Sequence, residues 1–216
     1  MGVIEYMHIY PHAKFITSAA SSSQFVHTEK PIIAVCGKSN VGKSSFINAL
    51  AGQNKLAKVS GDPGRTRLVN YFDFGPFVLA DLPGYGYAKV SKAEKLKWSK
   101  LLDDFFNVGG VSHVIALCDI RHEPTEDDKL MPNFLYAKIL PFTIVANKSD
   151  KLSKAQIDRA LKVIYTAYGC GRDDIIAFSS KNGNGLDKVV SVITSVIQNH
   201  NSQTKEQDEA KEEEEN

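Results

Sequence analysis

Residues 32–44 read Ile32-Ile33-Ala34-Val35-Cys36-Gly37-Lys38-Ser39-Asn40-Val41-Gly42-Lys43-Ser44. Five consecutive apolar residues suit a strand buried on both faces. The segment from Gly37 to Ser44 fits the pattern GxxxxGK[ST]. After it, an amphipathic stretch over 43–51 reads as a helix that closes at Gly52, a natural C′ residue. Strand, glycine loop and helix in this order bring loop N–H groups and a helix N-terminus to face one anion. Glycine lets the backbone wrap a phosphate chain without Cβ clashes. In that geometry Lys43 reaches β- and γ-phosphate oxygens, and the Ser44 hydroxyl can ligate Mg²⁺.

Outward from this segment, apolar runs alternate with amphipathic ones. Strands are expected over 14–18, 32–36, 67–72, 77–81, 113–119, 142–147 and 174–178. Helices are expected over 43–51, 92–107, 125–138, 154–168 and 185–199, with a start or kink of the third at Pro132. Asp73-Phe74-Gly75-Pro76 is a turn signal, so the strands flanking it should pair antiparallel. The fold class that follows is a three-layer α/β/α domain with a mostly parallel sheet and one antiparallel strand. Trp98 falls on the apolar stripe of the second helix with Leu101, Leu102, Phe105 and Phe106, which assigns it to the core. Open sheets of this kind bind ligands beyond the carboxyl ends of their strands, so chemistry is sought where each apolar run stops.

Three further stops carry chemistry. Asp81-Leu82-Pro83-Gly84 ends the run over 77–80, 38 residues after Lys43. A carboxylate there can hold Mg²⁺, and the N–H of Gly84 can approach a γ-phosphate. Asn147-Lys148-Ser149-Asp150 ends the run over 142–146. Asp150 can accept hydrogen bonds from guanine N1–H and the 2-amino group. Adenine offers neither donor, and a buried carboxylate left unpaired discriminates strongly. The Lys148 methylenes can lie along the base, and Asn147 can brace the glycine loop. Phe178-Ser179-Ser180 ends the last run, where the N–H groups of residues 179–181 could meet guanine O6. Each of these segments is an ordinary turn when taken alone; their order along the chain is what points to a guanine nucleotide.

That order resembles translation-factor-like P-loop GTPases. SNVGKSSFIN, PGRTR–VNYF, DLPGYGYAKVSK and Asp119-x-Arg121-His122-x-Pro124-Thr125-x-x-Asp128 resemble, more narrowly, the bacterial EngB family (also called YihA or YsxC) over residues 15–197. The resemblance implies a GTPase that binds GTP or GDP with Mg²⁺ and serves large ribosomal subunit assembly, with links to cell division and septation. It implies nucleotide contacts at Gly37–Ser44, at Gly64, Arg65, Thr66, Arg67 and Leu68, at Asp81–Gly84, at Asn147–Asp150 and at Phe178–Ser180. Mg²⁺ falls to Ser44 and Thr66, with Asp81 holding it as well; Ser60 is the second candidate for the threonine's place. Lys38 and Asn147 stand where the family usually has Arg and Thr.

Lys43, Thr66, Asp81, Gly84 and Asn40 are the candidate catalytic residues. Tyr85 occupies the place where many GTPases carry a water-orienting glutamine, so slow intrinsic hydrolysis is expected. The missing element could be K⁺ beside Asn40, a cis charge from Arg65 or Arg67, or a contribution from the ribosome. Arg121 and His122 are read as structural.

Composition excludes several classes. The chain has 216 residues, 43% hydrophobic and 24% charged, close to the soluble average. No apolar run suits a membrane span, and Cys36, Cys118 and Cys170 fit neither a disulfide framework nor a metal knuckle. A cytoplasmic monomer is expected, with no DNA partner and no membrane insertion. Net charge is +1, yet residues 205–216 carry −5, leaving the first 204 residues at +6. Lys89, Lys92, Lys95, Lys97 and Lys100 form either a solvated face or an RNA-phosphate contact. The expected organisation is an extension over 1–12, a GTPase-type domain over 13–200 and a disordered acidic tail over 201–216. Two other readings stay open: a nucleotide-gated binding module in which hydrolysis is incidental, and a P-loop kinase or ATPase, which Asp150 disfavours.

Overall fold

The computed structural model describes residues 9–58, 68–85 and 92–214. Among the described residues, seven strands and five α-helices follow one another: β1 Lys14–Ala19, β2 Ile32–Gly37, α1 Lys43–Ala51, β3 Val69–Asp73, β4 Val78–Asp81, α2 Lys92–Val108, β5 Val111–Asp119, α3 Glu126–Ala137, β6 Phe142–Asn147, α4 Lys154–Tyr168, β7 Ile175–Ala177 and α5 Leu186–Glu214. The sheet order is β1-β3-β4-β2-β5-β6-β7. Strand β3 runs against both β1 and β4, and every other pairing is parallel. The β3–β4 hairpin turns at Gly75, whose φ of +90° suits a residue without Cβ and whose N–H donates to Asp73 Oδ1 at 2.9 Å.

Alternation along the strands sorts the core into layers. Ile33, Val35, Ile115, Leu117 and Val145 point to one face, where Phe46, Ile47 and Leu50 of α1 and Val189 and Ile193 of α5 cover them. Ile32, Ala34, Cys36, Val114 and Ala116 point to the other, beneath Leu101, Phe105 and Phe106 of α2 and Met131 and Leu135 of α3. On that side Leu161 and Ile164 of α4 cover Ile144 and Ile175. The three-layer α/β/α architecture stands, with β2 at its centre. The carboxyl ends of β2, β4, β5 and β6 therefore emerge side by side.

Three features depart from the sequence expectation. Helix α5 does not stop near residue 199 but continues through the acidic stretch to Glu214. Glu, Lys, Gln and Ala are strong helix formers, and the packed segment at Val189 and Ile193 has already met the nucleation cost. Tyr10, placed in the extension over 1–12, packs edge-on to Phe74 and Phe77 at 5.5 and 5.3 Å. Helix α3 starts at Glu126, not at Pro132, and carries the proline inside.

Candidate functional site

The glycine loop owes its shape to residues in the left-handed region. Gly42 has φ +104° and Asn40 has φ +64°. Among the described residues no side chain caps α1, so the first-turn N–H groups of that helix face a ligand. Asn147 at the end of β6 braces the loop, its Nδ2 donating to Val41 O at 3.0 Å. A Cβ on Gly42 would come within 2.5 Å of that same nitrogen, so the brace and the glycine require each other. Asn147 Oδ1 accepts the Lys148 N–H at 2.8 Å and the Ser180 N–H at 3.3 Å, which ties three strand ends into one cluster.

Asp81 ends β4 opposite the loop. Lys43 Nζ lies 4.0 Å from Asp81 Oδ1, and both side chains are nearly buried. Burial pushes the Asp81 carboxyl up to about 6, against the pull of the Lys43 charge and a hydrogen bond from Asn70. Oδ1 itself is buried, with no hydrogen-bond partner among the described residues. An orphaned, desolvated carboxylate oxygen beside a phosphate cradle is chemistry that a hard cation would satisfy. Among the described residues no cluster of three or more His, Cys, Asp or Glu could hold a metal alone. A hard cation such as Mg²⁺ needs no such cluster, since it binds through one or two protein oxygens, substrate phosphates and water. Ser44 and Asp81 are the described residues that fit it; Thr66 lies outside the described residues, as do Ser60, Gly64, Arg65 and Arg67.

The segment after Asp81 is docked on the loop. A Cβ on Gly84 would stand 3.0 Å from Ser39 Oγ and 3.2 Å from Lys43 Nζ. Tyr85 O accepts from the Ser39 N–H at 2.9 Å and from Ser39 Oγ at 3.2 Å. Trp98 is not a plain core residue: its Nε1 donates to Pro83 O at 3.3 Å, and its ring lies 6.2 Å from that of Tyr85. Helix α2 is thereby wired to the segment that would sense a γ-phosphate. Residues 86–91, including Lys89, lie outside the described residues.

Asp150 follows β6, and Ser179 Oγ donates to its Oδ1 at 2.9 Å. Its partial burial raises the carboxyl, but the bonds from Ser179 and Lys151 outweigh this and hold it below the usual range. It is thus an ionised acceptor, as a guanine reader must be. The expected donors to guanine O6 fare differently. The N–H groups of Ser179, Ser180 and Lys181 donate to Asn184 O, Asn147 Oδ1 and Ser179 Oγ, so each already has a partner within the chain. The side chains of Val41, Leu82 and Phe178 are buried in the core, leaving only backbone to meet a ligand. For Phe178 even that is used, its N–H donating to Ala146 O and its carbonyl accepting from Ser149.

Two side chains that sequence reasoning left without a role lie at this edge. Asp119 ends β5 and receives Lys148 Nζ at 2.8 Å. Asp128 of α3 holds Lys38 of the loop, Nζ to Oδ1 at 3.4 Å. The rule that found Asp81 and Asn147, looking where an apolar run stops, applies equally to Asp119. A cavity of about 610 Å³ opens beside the loop between residues 38–41, Cys118, Thr125, Ile164 and Tyr168. Lys43, Ser44 and Asp81 are not among its walls, so it flanks the phosphate cradle and does not coincide with it.

Comparison with known proteins agrees with this geometry. Residues 32–148 match the family model described as a 50S ribosome-binding GTPase. A probable GTP-binding protein EngB from Clostridium kluyveri is 46% identical over 188 residues, covering 86% of this chain and 95% of that relative. Its counterpart from Caldanaerobacter subterraneus subsp. tengcongensis is 42% identical, covering 86% and 97%. A crystal structure of a probable GTP-binding protein engB superimposes with a TM-score of 0.61 at 22% identity, covering 78% of this chain and 99% of that one. Era in complex with MgGDPNP and nucleotides 1506–1542 of 16S ribosomal RNA does so with 0.60 at 22% identity, covering 79% and 57%. The chain belongs to the EngB family of GTP-binding proteins and carries its GTPase domain.

Proposed function

We propose that this EngB-family GTPase is a Mg²⁺-dependent switch that acts on the large ribosomal subunit during its assembly in the cytoplasm and so supports cell division and septation. The observation that carries the reading is the convergence of the ends of β4 and β6 on the loop that follows β2. Lys43 faces Asp81 at 4.0 Å, Asn147 braces Val41 at 3.0 Å, and Gly84 lies against Ser39 and Lys43. A triphosphate lying along the open N–H groups of α1 would put its γ-phosphate beside Lys43 and Gly84. Bound Mg²⁺, held by Ser44, Asp81 and Thr66, would neutralise charge on the β- and γ-phosphates. Lys43 neutralises the same oxygens, and Asp150 selects guanine by accepting its N1–H and 2-amino donors.

In this reading Gly84 and Tyr85 release Ser39 when a γ-phosphate claims the same space. Trp98, the chain's single tryptophan, is bonded to Pro83 and reports that release as a change in fluorescence. Hydrolysis is slow, because the Tyr85 ring packs toward Trp98 and offers no amide to orient water. The accelerating element is K⁺ beside Asn40, a cis arginine (Arg65 or Arg67) or the ribosome. Turnover in K⁺ and Na⁺, with Asn40→Ala alongside, separates the first from the others. Lys97 and Lys100, exposed on α2, suit contact with RNA phosphates. The description of the family as ribosome-binding supports this partner.

Sedimentation with large ribosomal subunits under GTP, GDP and no nucleotide tests the proposal. GTP-dependent co-sedimentation that weakens steeply with salt is expected, and association indifferent to nucleotide would refute it. The position of Tyr85 also favours a second reading, a nucleotide-gated binding module whose hydrolysis is incidental. Release from the subunit without turnover would select that reading.

A further inference from the structure

Lys148 follows Asn147 with a backbone φ of +70°, a conformation that side chains disfavour. Its ammonium is nevertheless fixed at both ends of a short bridge. Nζ donates to Asn40 O at 2.9 Å and to Asp119 Oδ2 at 2.8 Å. Asn40 is itself left-handed, at φ +64°. The bridge therefore joins two strained residues, one in the glycine loop and one at the base-reading turn, and tertiary contacts must hold both.

Asp119 is fixed in turn by Arg121. The guanidinium forks onto the carboxylate, Nε to Oδ1 at 2.9 Å and Nη2 to Oδ2 at 2.7 Å, and the Arg121 N–H adds a third bond to Oδ1 at 3.1 Å. With Lys148, four donors saturate one carboxylate. Partial burial would raise its pKa, but these donors hold it far below the usual carboxylate range. Rotation of Asp119 would break paired bonds on both oxygens at once.

We infer that Asp119 and Arg121 are positioning residues for guanine-nucleotide binding: they hold Lys148 against Asn40 so that its methylene stem lies ready along the base. The inference rests on the proposed nucleotide site and extends it to two residues outside the set assigned above to phosphate, Mg²⁺ or base. Preorganisation of this kind acts on affinity and leaves the hydrolytic step alone.

The test is titration of the full chain with fluorescent GDP and GTP, together with single-turnover hydrolysis at saturating GTP. Asp119→Asn removes the charge that faces Lys148. It should raise the dissociation constants for GDP and GTP alike, by roughly 10- to 100-fold, the usual effect of losing a charge-assisted bond. Inosine diphosphate, which lacks the 2-amino group read by Asp150, should lose affinity by the same factor as GDP. The saturating hydrolysis rate should stay within about threefold of the parent. Arg121→Gln changes an exposed side chain, so folding is preserved, and should weaken binding by a smaller factor that Arg121→Lys partly restores. Wild-type affinity in both Asp119→Asn and Arg121→Gln, or a fall in rate with unchanged affinity, would overturn the assignment. A parent protein that binds no guanine nucleotide would overturn the nucleotide site itself.

Discussion

His113 makes stability depend on pH in a way that can be worked through. It lies on β5 with Nε2 3.0 Å from Thr143 Oγ1 of β6, and burial lowers its pKa from 6.5 to about 4. The folded state therefore binds fewer protons at this group than the unfolded chain does. Stability rises with pH wherever that holds, so this contribution is complete above about 6.5 and is lost as pH falls toward 4. Summing over the two titrations gives a loss of about 2 kcal/mol at about pH 5 relative to about pH 8. Asp81 acts in the opposite sense over part of this window, because its folded pKa is raised to about 6. A difference measurement removes that overlap. Urea unfolding is followed for the parent and for His113→Gln, which keeps a polar group near Thr143 but does not titrate. The parent-minus-variant difference should fall by about 2 kcal/mol between those two pH values. A difference constant to within about 0.5 kcal/mol would show that His113 is solvated, and the reasoning from burial would fail.

Asp81→Asn removes a carboxylate whose charged form is penalised by burial. The nucleotide-free protein should gain up to about 3 kcal/mol of stability at neutral pH, while Mg²⁺-dependent GTP binding collapses; a destabilised variant in urea would refute the first half. Gly42→Ala forces a side chain into φ +104° and drives its Cβ against Asn147 Nδ2. A stability loss of roughly 2 kcal/mol is expected, and an unchanged melting temperature would contradict it. Asp150→Asn should shift preference from guanine toward xanthine, since an amide can donate to the xanthine 2-oxo group; competition of XDP against fluorescent GDP reads this, and unaltered selectivity would remove Asp150 from base recognition.

Some of these features could be read before any coordinates. Each strand core, and the capping contact in which Gln156 accepts the Ser153 N–H at 2.8 Å, follows from interactions a few residues apart. The extent of α5 did not follow. Composition marked its acidic end as unable to pack, but extending an existing helix needs no packing. The role of Trp98 was also missed, because a helical stripe shows which side is apolar and not that one edge of an indole meets Pro83 O. Asp119 and Asp128 escaped for a related reason: their partners, Lys148 and Lys38, are remote in the chain.

The sequence determined, by itself, the order of strands and helices, the glycine loop and the four strand ends that carry polar chemistry. Backbone propensity and apolar periodicity are local, and they act within a turn or a pleat. That Asn147 reaches Val41 across 106 positions, and that Asp81 faces Lys43 at 4.0 Å, was settled by tertiary packing alone. Such contacts depend on which strands become neighbours, and burying both sheet faces beneath helices fixes that choice for all the strands at once.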